Sequence, residues 1–202
     1  NEKFKFRDSR RMFVGGVPAI INRISFTGEL GYEIYVAPHY QLKLYEELME
    51  AGKEFNIKPF GGRALMSMRL EKNWGAWTLD YRPDFTAKET GLDAFINWDK
   101  EFIGKESAQK ENSSNKLVPL IVETNEIDVT NNEAVLNGDQ SIGYVTSGGF
   151  AHFVNKSVAF TFVDQKNIKS ENKIQVEING DLFNCSIIKE PLYDPSGQKM
   201  RS

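Results

Sequence analysis

Six short apolar runs follow one another after residue 116: "LVPLIVE", "EAVL", "SIGYVTS", "SVAFTFV", "KIQVEI" and "LFNCSII". They are rich in β-branched residues, and no strong helical period separates them, so each reads as a strand. Two connections, Asn137-Gly138 and Asn179-Gly180, carry the Asn-Gly chemistry of type I′ hairpins. "QVEINGDLFNC" is the clearest hairpin in the chain. Six strands joined by tight turns fit a small antiparallel barrel or sandwich.

The residues ahead of this region read differently. "VPAIINRISF" is a β-branched strand bounded by Gly15-Gly16 and Thr27-Gly28, and "GYEIYV" is its hairpin partner across the Gly28-to-Gly31 turn. "YQLKLYEELMEAGKEF" sets Leu42, Tyr45, Leu48 and Met49 on one face of an amphipathic helix that stops at Gly52. A second helix starts after Pro59-Phe60-Gly61-Gly62 and runs through "RALMSMRLEKNW". "GLDAFINW" reads as a strand and "KEFIGKESAQKE" as a short helix. The polar stretch "KENSSNK", residues 110 to 116, has the composition of an exposed connection. The expected fold class is therefore α+β, with a mixed domain over residues 1–112 and a small antiparallel β-barrel domain over 113–202.

Composition removes several classes of function. A net charge of -3 with dispersed basic residues lacks the footprint of a nucleic-acid binder. No apolar run approaches the length of a membrane span, and no charged-then-apolar leader follows Asn1. One cysteine, Cys185, excludes an internal disulfide, and two histidines, His39 and His152, do not make a classical zinc site. A reducing cytoplasm is the compartment these counts fit. There is no dinucleotide or phosphate-binding glycine motif and no G-x-S-x-G elbow. Cys185 reads as a buried strand residue and His152 as a structural loop residue rather than a base.

The chemistry left over sits in "TGELGYE", "GGRALMSMRLEKNWGAW" and "EPLYDPSGQKMRS". By themselves, Glu29 and Glu33 read as exposed turn and strand acids, and Arg69 as the partner of Glu71 or Asp80. Tyr32, Trp74 and Trp77 read as core aromatics.

"RISFTGELGYEIYV", "RALMSMRLEKNWGAW", "GLDAFINWDKEFIGKESA", "SIGYVTSGG" and the terminal "EPLYDPSG" together resemble the glycine-cleavage T-protein (aminomethyltransferase) family. The likeness is strongest to the branch fused to dimethylglycine and sarcosine dehydrogenases, and it runs through nearly the whole chain in the family's order. It implies a tetrahydrofolate-binding protein that collects a one-carbon unit from a methylated glycine. The family's pterin-binding glutamate aligns with Glu33 and its ligand-contacting arginine with Arg63, while Tyr32 stands in the same motif. A carboxylate accepts two adjacent pterin N–H groups in a paired geometry, and a guanidinium grips the folate glutamate tail bidentately. Tyr193 in "EPLYDPSG" reaches toward the cavity from the barrel. The family's catalytic aspartate and the dehydrogenases' FAD-binding half lie ahead of the residues that align here. The catalytic residue is therefore not assigned, the implied partner is an N-terminal catalytic portion or chain, and the 202 residues alone are not expected to turn over. Alternatives from other classes are a folate-dependent demethylase of another methylated substrate and a non-catalytic folate-binding module.

Overall fold

The computed structural model describes residues 3–124, 126–168 and 174–202. Asn1 and Lys173, the first residue of the run "KIQVEI", lie outside the described residues.

A three-stranded antiparallel sheet opens the chain. Strands β1 (Ser9–Val14) and β2 (Val17–Asn22) form a hairpin through Gly15 and Gly16, both at positive φ. Strand β3 (Glu33–Tyr35) pairs with the far edge of β2, setting Glu33 opposite Asn22. Val17, Ala19 and Ile21 alternate inward on β2, while Pro18 and Ile20 face out. The β2–β3 connection, residues 23–32, is broader than the glycine spacing implies. Arg23, the residue after β2, continues its inward alternation. Its buried guanidinium donates to the Phe4 carbonyl at 2.6 Å and to the Ser202 carbonyl.

Helix α1 (Gln41–Ala51) forms where expected, but its expected apolar face is not its buried one. Leu44 is the fully buried residue, whereas Leu42 and Tyr45 are 69% and 54% exposed. Helix α2 (Gly62–Glu71) begins after Gly61 and ends earlier than its sequence pattern implies. Asn73 adopts positive φ, its amide bonds to the Leu70 carbonyl, and the Trp74 amide bonds to the Arg69 carbonyl. This double closure satisfies the last carbonyls and forbids another helical turn. The strand expected at "GLDAFINW" is absent. Leu92–Phe95 is a single 3₁₀ turn after Gly91 at φ +73°, and the Leu92 and Asp93 amides share the Ala87 carbonyl. Those two bonds coil the backbone before it can extend. The short helix α3 (Lys105–Lys110) follows.

All six expected strands form: β4 (Asn115–Val122), β5 (Ala134–Asn137), β6 (Gln140–Ala151), β7 (Lys156–Asp164), β8 (Ile174–Ile178) and β9 (Asp181–Ile187). They close into an antiparallel barrel in the order β4-β7-β6-β5-β8-β9, with β9 returning to pair with β4. Asn179 and Gly180, both at positive φ, make the β8–β9 turn as expected. At the β5–β6 turn the pairing of Asn137 with Gln140 moves the loop to Gly138-Asp139, one residue beyond the expected pair. Leu120, Val122, Val135, Val145, Val176 and Ile178 fill the barrel, each at most 1% exposed. Burying each such side chain contributes about 1.5–3 kcal/mol. Gly143 allows β6 its close approach to β7, since a Cβ there would stand 2.1 Å from the Phe162 carbonyl oxygen.

The protein is thus a mixed α/β fold with a closed six-stranded antiparallel barrel. Helix α2 lies on the barrel, where Leu70 packs with Ala151, Val158, Phe160 and Ile188. A last short helix, α4 (Gln198–Arg201), closes the C-terminal segment. Among the described residues no helix is long and apolar enough to cross a membrane.

Candidate functional site

Helix α2, the β6–β7 hairpin of the barrel, the 23–32 connection and the C-terminal segment enclose two adjoining cavities. The larger, about 670 Å³, is lined by Arg63, Ser67, Leu70, Val129, Phe150 and His152, among others. The smaller, about 400 Å³, is lined by Glu29, Met68, Glu71, Phe153 and Tyr193, and shares Ala64, Ser67 and His152 with the first.

Helix α2 is tied to the barrel by a buried ionic hub. Arg69 and Asp80, both with fully buried side chains, pair at 2.7 Å, so of the two partners expected for Arg69, Glu71 and Asp80, it takes the second. Asp80 also accepts from the Ala76 amide at 2.8 Å, from Thr146 at 2.5 Å and from Ser147 at 2.7 Å. One carboxylate therefore ties α2, the loop after it and strand β6 together. Burial lowers the Arg69 guanidinium's pKa, and the Asp80 charge opposes that shift. Ser67 adds a second tie, donating to the Phe150 carbonyl at 2.6 Å.

The wall is built from the far end of the chain. The Tyr193 hydroxyl donates to the Glu29 carboxylate and accepts from the Lys199 ammonium at 2.6 Å. Phe153 stands edge-on to the Tyr193 ring with centroids 4.8 Å apart. Buried Lys72 bonds to the Asp194 carboxylate at 3.1 Å, and the Phe153 amide donates to Glu71 at 2.5 Å. Burial alone would raise the Asp194 carboxyl, but the Lys72 hydrogen bond and charge, with the Lys199 and Gln198 amides, hold it below the usual range.

The anticipated site residues do not all meet here. Arg63 lines the larger cavity, exposed at the second position of α2, where no side chain caps the helix. Glu33 is exposed on the outer face of β3, where it accepts a hydrogen bond from the Tyr35 hydroxyl. Tyr32 also stands outside both cavities, its ring 5.7 Å from that of Phe4. Glu29, expected to be a plain surface acid, is instead bonded to Tyr193 across 164 positions of sequence. His152 lines both cavities, and Tyr193 does reach one of them. No local signal could have found the Glu29 contact, since its partner lies in another element. Trp77, expected in the core, is 77% exposed with its ring edge-on to Tyr81, 5.7 Å away. Cys185 is a barrel residue, its thiol pushed up to about 12 by burial. Among the described residues no cluster of histidine, cysteine or acids is arranged to hold a metal ion.

Comparison with known proteins fits this architecture at every level. The family model for the GCVT N-terminal domain matches residues 1–100, and that for the glycine cleavage T-protein C-terminal barrel domain matches residues 115–194. The chain belongs to the glycine-cleavage T-protein family. Within that family it is 34% identical over 197 residues to the mitochondrial dimethylglycine dehydrogenase of Mus musculus, covering 95% of this chain and 23% of that protein. It is 33% identical over 198 residues to an aminomethyltransferase of Bacillus mycoides, covering 96% of this chain and 53% of the relative. The crystal structure of glycine cleavage system aminomethyltransferase T from Bartonella henselae superposes with a TM-score of 0.83 at 23% identity, over 96% of this chain and 54% of that one. The T-protein fold is therefore present, and the chain spans about half the length of the aminomethyltransferases it matches.

Proposed function

We propose that this chain is the tetrahydrofolate-binding portion of a T-protein-like enzyme that transfers a one-carbon unit from a methylated glycine, dimethylglycine or sarcosine, to tetrahydrofolate. The observation that carries the reading is the family match along both halves, with relatives that include dimethylglycine dehydrogenases and aminomethyltransferases. The mixed domain, 1–112, would supply Glu33, Arg63 and Tyr32, and the barrel domain, 113–202, would close the cavity. The compartment we assign is the cytoplasm.

Two of these residues keep binding capacity for such a ligand. Tyr35 occupies one Glu33 oxygen, and the other carries no hydrogen bond among the described residues, so the carboxylate retains capacity for pterin N–H donors. Arg63 stands at the larger cavity, beside the amide-rich start of α2, where a carboxylate tail is favoured electrostatically. When bound, tetrahydrofolate supplies the nitrogen nucleophiles that accept the one-carbon unit. The protein's own part is to orient that ligand and keep water from the transfer, with no strong nucleophile of its own.

The partner is an N-terminal catalytic portion, and FAD belongs to this enzyme only if that portion carries it. The outer sheet face supports the same reading. Phe13, Ile20 and Tyr35 are 71%, 39% and 53% exposed and line an open apolar groove of about 630 Å³. A surface of that kind favours cover by another segment or chain.

Tetrahydrofolate titration calorimetry in the complete enzyme tests the assignment. Glu33→Gln sets an N–H₂ group against a pterin donor and should cost about 2–4 kcal/mol, roughly 30- to 1000-fold in affinity. Glu29→Gln should cost less than about 1 kcal/mol. A folded Glu33→Gln variant with unchanged affinity would remove the site.

A further inference from the structure

The 23–32 connection has little structure of its own. Among the described residues its backbone bonds lie at its first residue, where Arg23 pairs with Arg7 and Asp8. Two local side-chain bonds, Ser25 to the Gly28 amide and Thr27 to the Glu29 amide, shape the rest. The strand it leads into, β3, is three residues long and lies on the sheet edge. Something outside the sheet must hold this segment in place.

Tyr193 is built to do so. Its backbone is fixed to the end of α2, because its amide donates to the Glu71 carbonyl at 3.0 Å. The neighbouring Asp194 is held by Lys72. Its ring is wedged between Phe153 and Gly28, where an added Cβ would stand 3.3 Å from the ring and 2.8 Å from Lys72. Its hydroxyl has one proton, and the Lys199 ammonium can only donate to it, so that proton must go to Glu29. The bond therefore has a set direction and joins the connection to α2 and the barrel.

We propose that Tyr193, acting through Glu29, is a positioning residue that sets β3 and its Glu33 in register with α2 and its Arg63. Glu33 lies outside both cavities, one of which Arg63 borders, so the segment carrying it depends on such an anchor for its placement. The inference rests on the folate reading for its ligand but not for the clamp itself. Tyr193 touches no reacting atom in this account.

Two measurements separate the clamp from the ligand. In hydrogen exchange on the chain, Tyr193→Phe and Glu29→Ala should each speed exchange of the amides of residues 27–33 about fivefold or more, with the β4 amides unmoved. In tetrahydrofolate titrations of the complete enzyme, each should weaken binding about tenfold, and the double variant should be no weaker than either single. Glu29→Gln keeps an acceptor for the hydroxyl and should stay within about threefold of the parent. Unchanged exchange in Tyr193→Phe, or single effects that multiply in the double variant, would overturn the positioning role. Faster exchange together with an inert Glu33→Gln would remove the folate reading and leave the clamp.

Discussion

The barrel and the three-stranded sheet are both antiparallel, yet they solve the problem of an apolar strand face in opposite ways. The barrel turns its apolar positions onto one another, and Val135, Val145, Ala159 and Val176 are fully buried. Closure also leaves it no unpaired edge. The sheet buries one face only. Val17, Ala19 and Ile21 are covered, while Phe13, Ile20 and Tyr35 stand open on the other side. The difference teaches that the barrel is complete within this chain, whereas the sheet presents a surface suited to being covered. Helix α2 is fastened to the barrel by the Arg69–Asp80 hub, in which one carboxylate joins helix, loop and strand β6. Stability should follow closure and the hub, and recognition should follow the open side.

The largest effect expected from breaking that division is at the hub. Asp80→Ala would leave the fully buried Arg69 guanidinium without its counter-charge and should cost about 3–5 kcal/mol in urea unfolding. A loss under about 1 kcal/mol would mean that the hub does not fasten α2 to the barrel. Alkylation reads the surroundings of Cys185 on β9. Because burial pushes the Cys185 thiol up to about 12, native protein at pH 8 should react roughly a thousandfold slower than the denatured chain. Labelling should accelerate as pH rises toward that value, as thiolate forms, and fast native labelling at pH 8 would contradict the burial of this thiol. Within the barrel core, Leu120→Ala should cost about 2–4 kcal/mol, since Leu120 is 1% exposed. At the other extreme, Phe13→Ser should change the stability of the chain by no more than about 0.5 kcal/mol, because Phe13 is 71% exposed. The same substitution should weaken association with a separately expressed N-terminal portion, read by calorimetry. A large stability loss in the chain alone would show that the sheet face is already covered.

The legible parts of the fold were local. The six barrel strands could be read because alternation and Asn-Gly turns are properties of adjacent residues, and the α2 start because Gly61-Gly62 precedes a helical run. The Arg69–Asp80 pair was legible because eleven residues and a turn separate its members. The misreadings share one cause. Leu42 and Tyr45 have helical spacing, but which side of α1 is covered depends on what packs there, and Leu44 is the residue covered. "GLDAFINW" has strand-like residues, but the Ala87 carbonyl captures two amides and coils it.

The candidate site divides along the same line. Sequence likeness singled out Glu33, Arg63 and Tyr32, and of these Arg63 lines one of the two adjoining cavities. The Glu29–Tyr193 bond, the Lys72–Asp194 pair and the placement of His152 between two cavities involve elements far apart in the chain. By itself the sequence determined the six barrel strands, the Asn179-Gly180 turn and the family, because each is written in neighbouring residues or in their order. Only the tertiary structure decided which acid is clamped, which face stays open and where the cavities lie, because those depend on burial and on contacts that chain closure alone brings within hydrogen-bond reach.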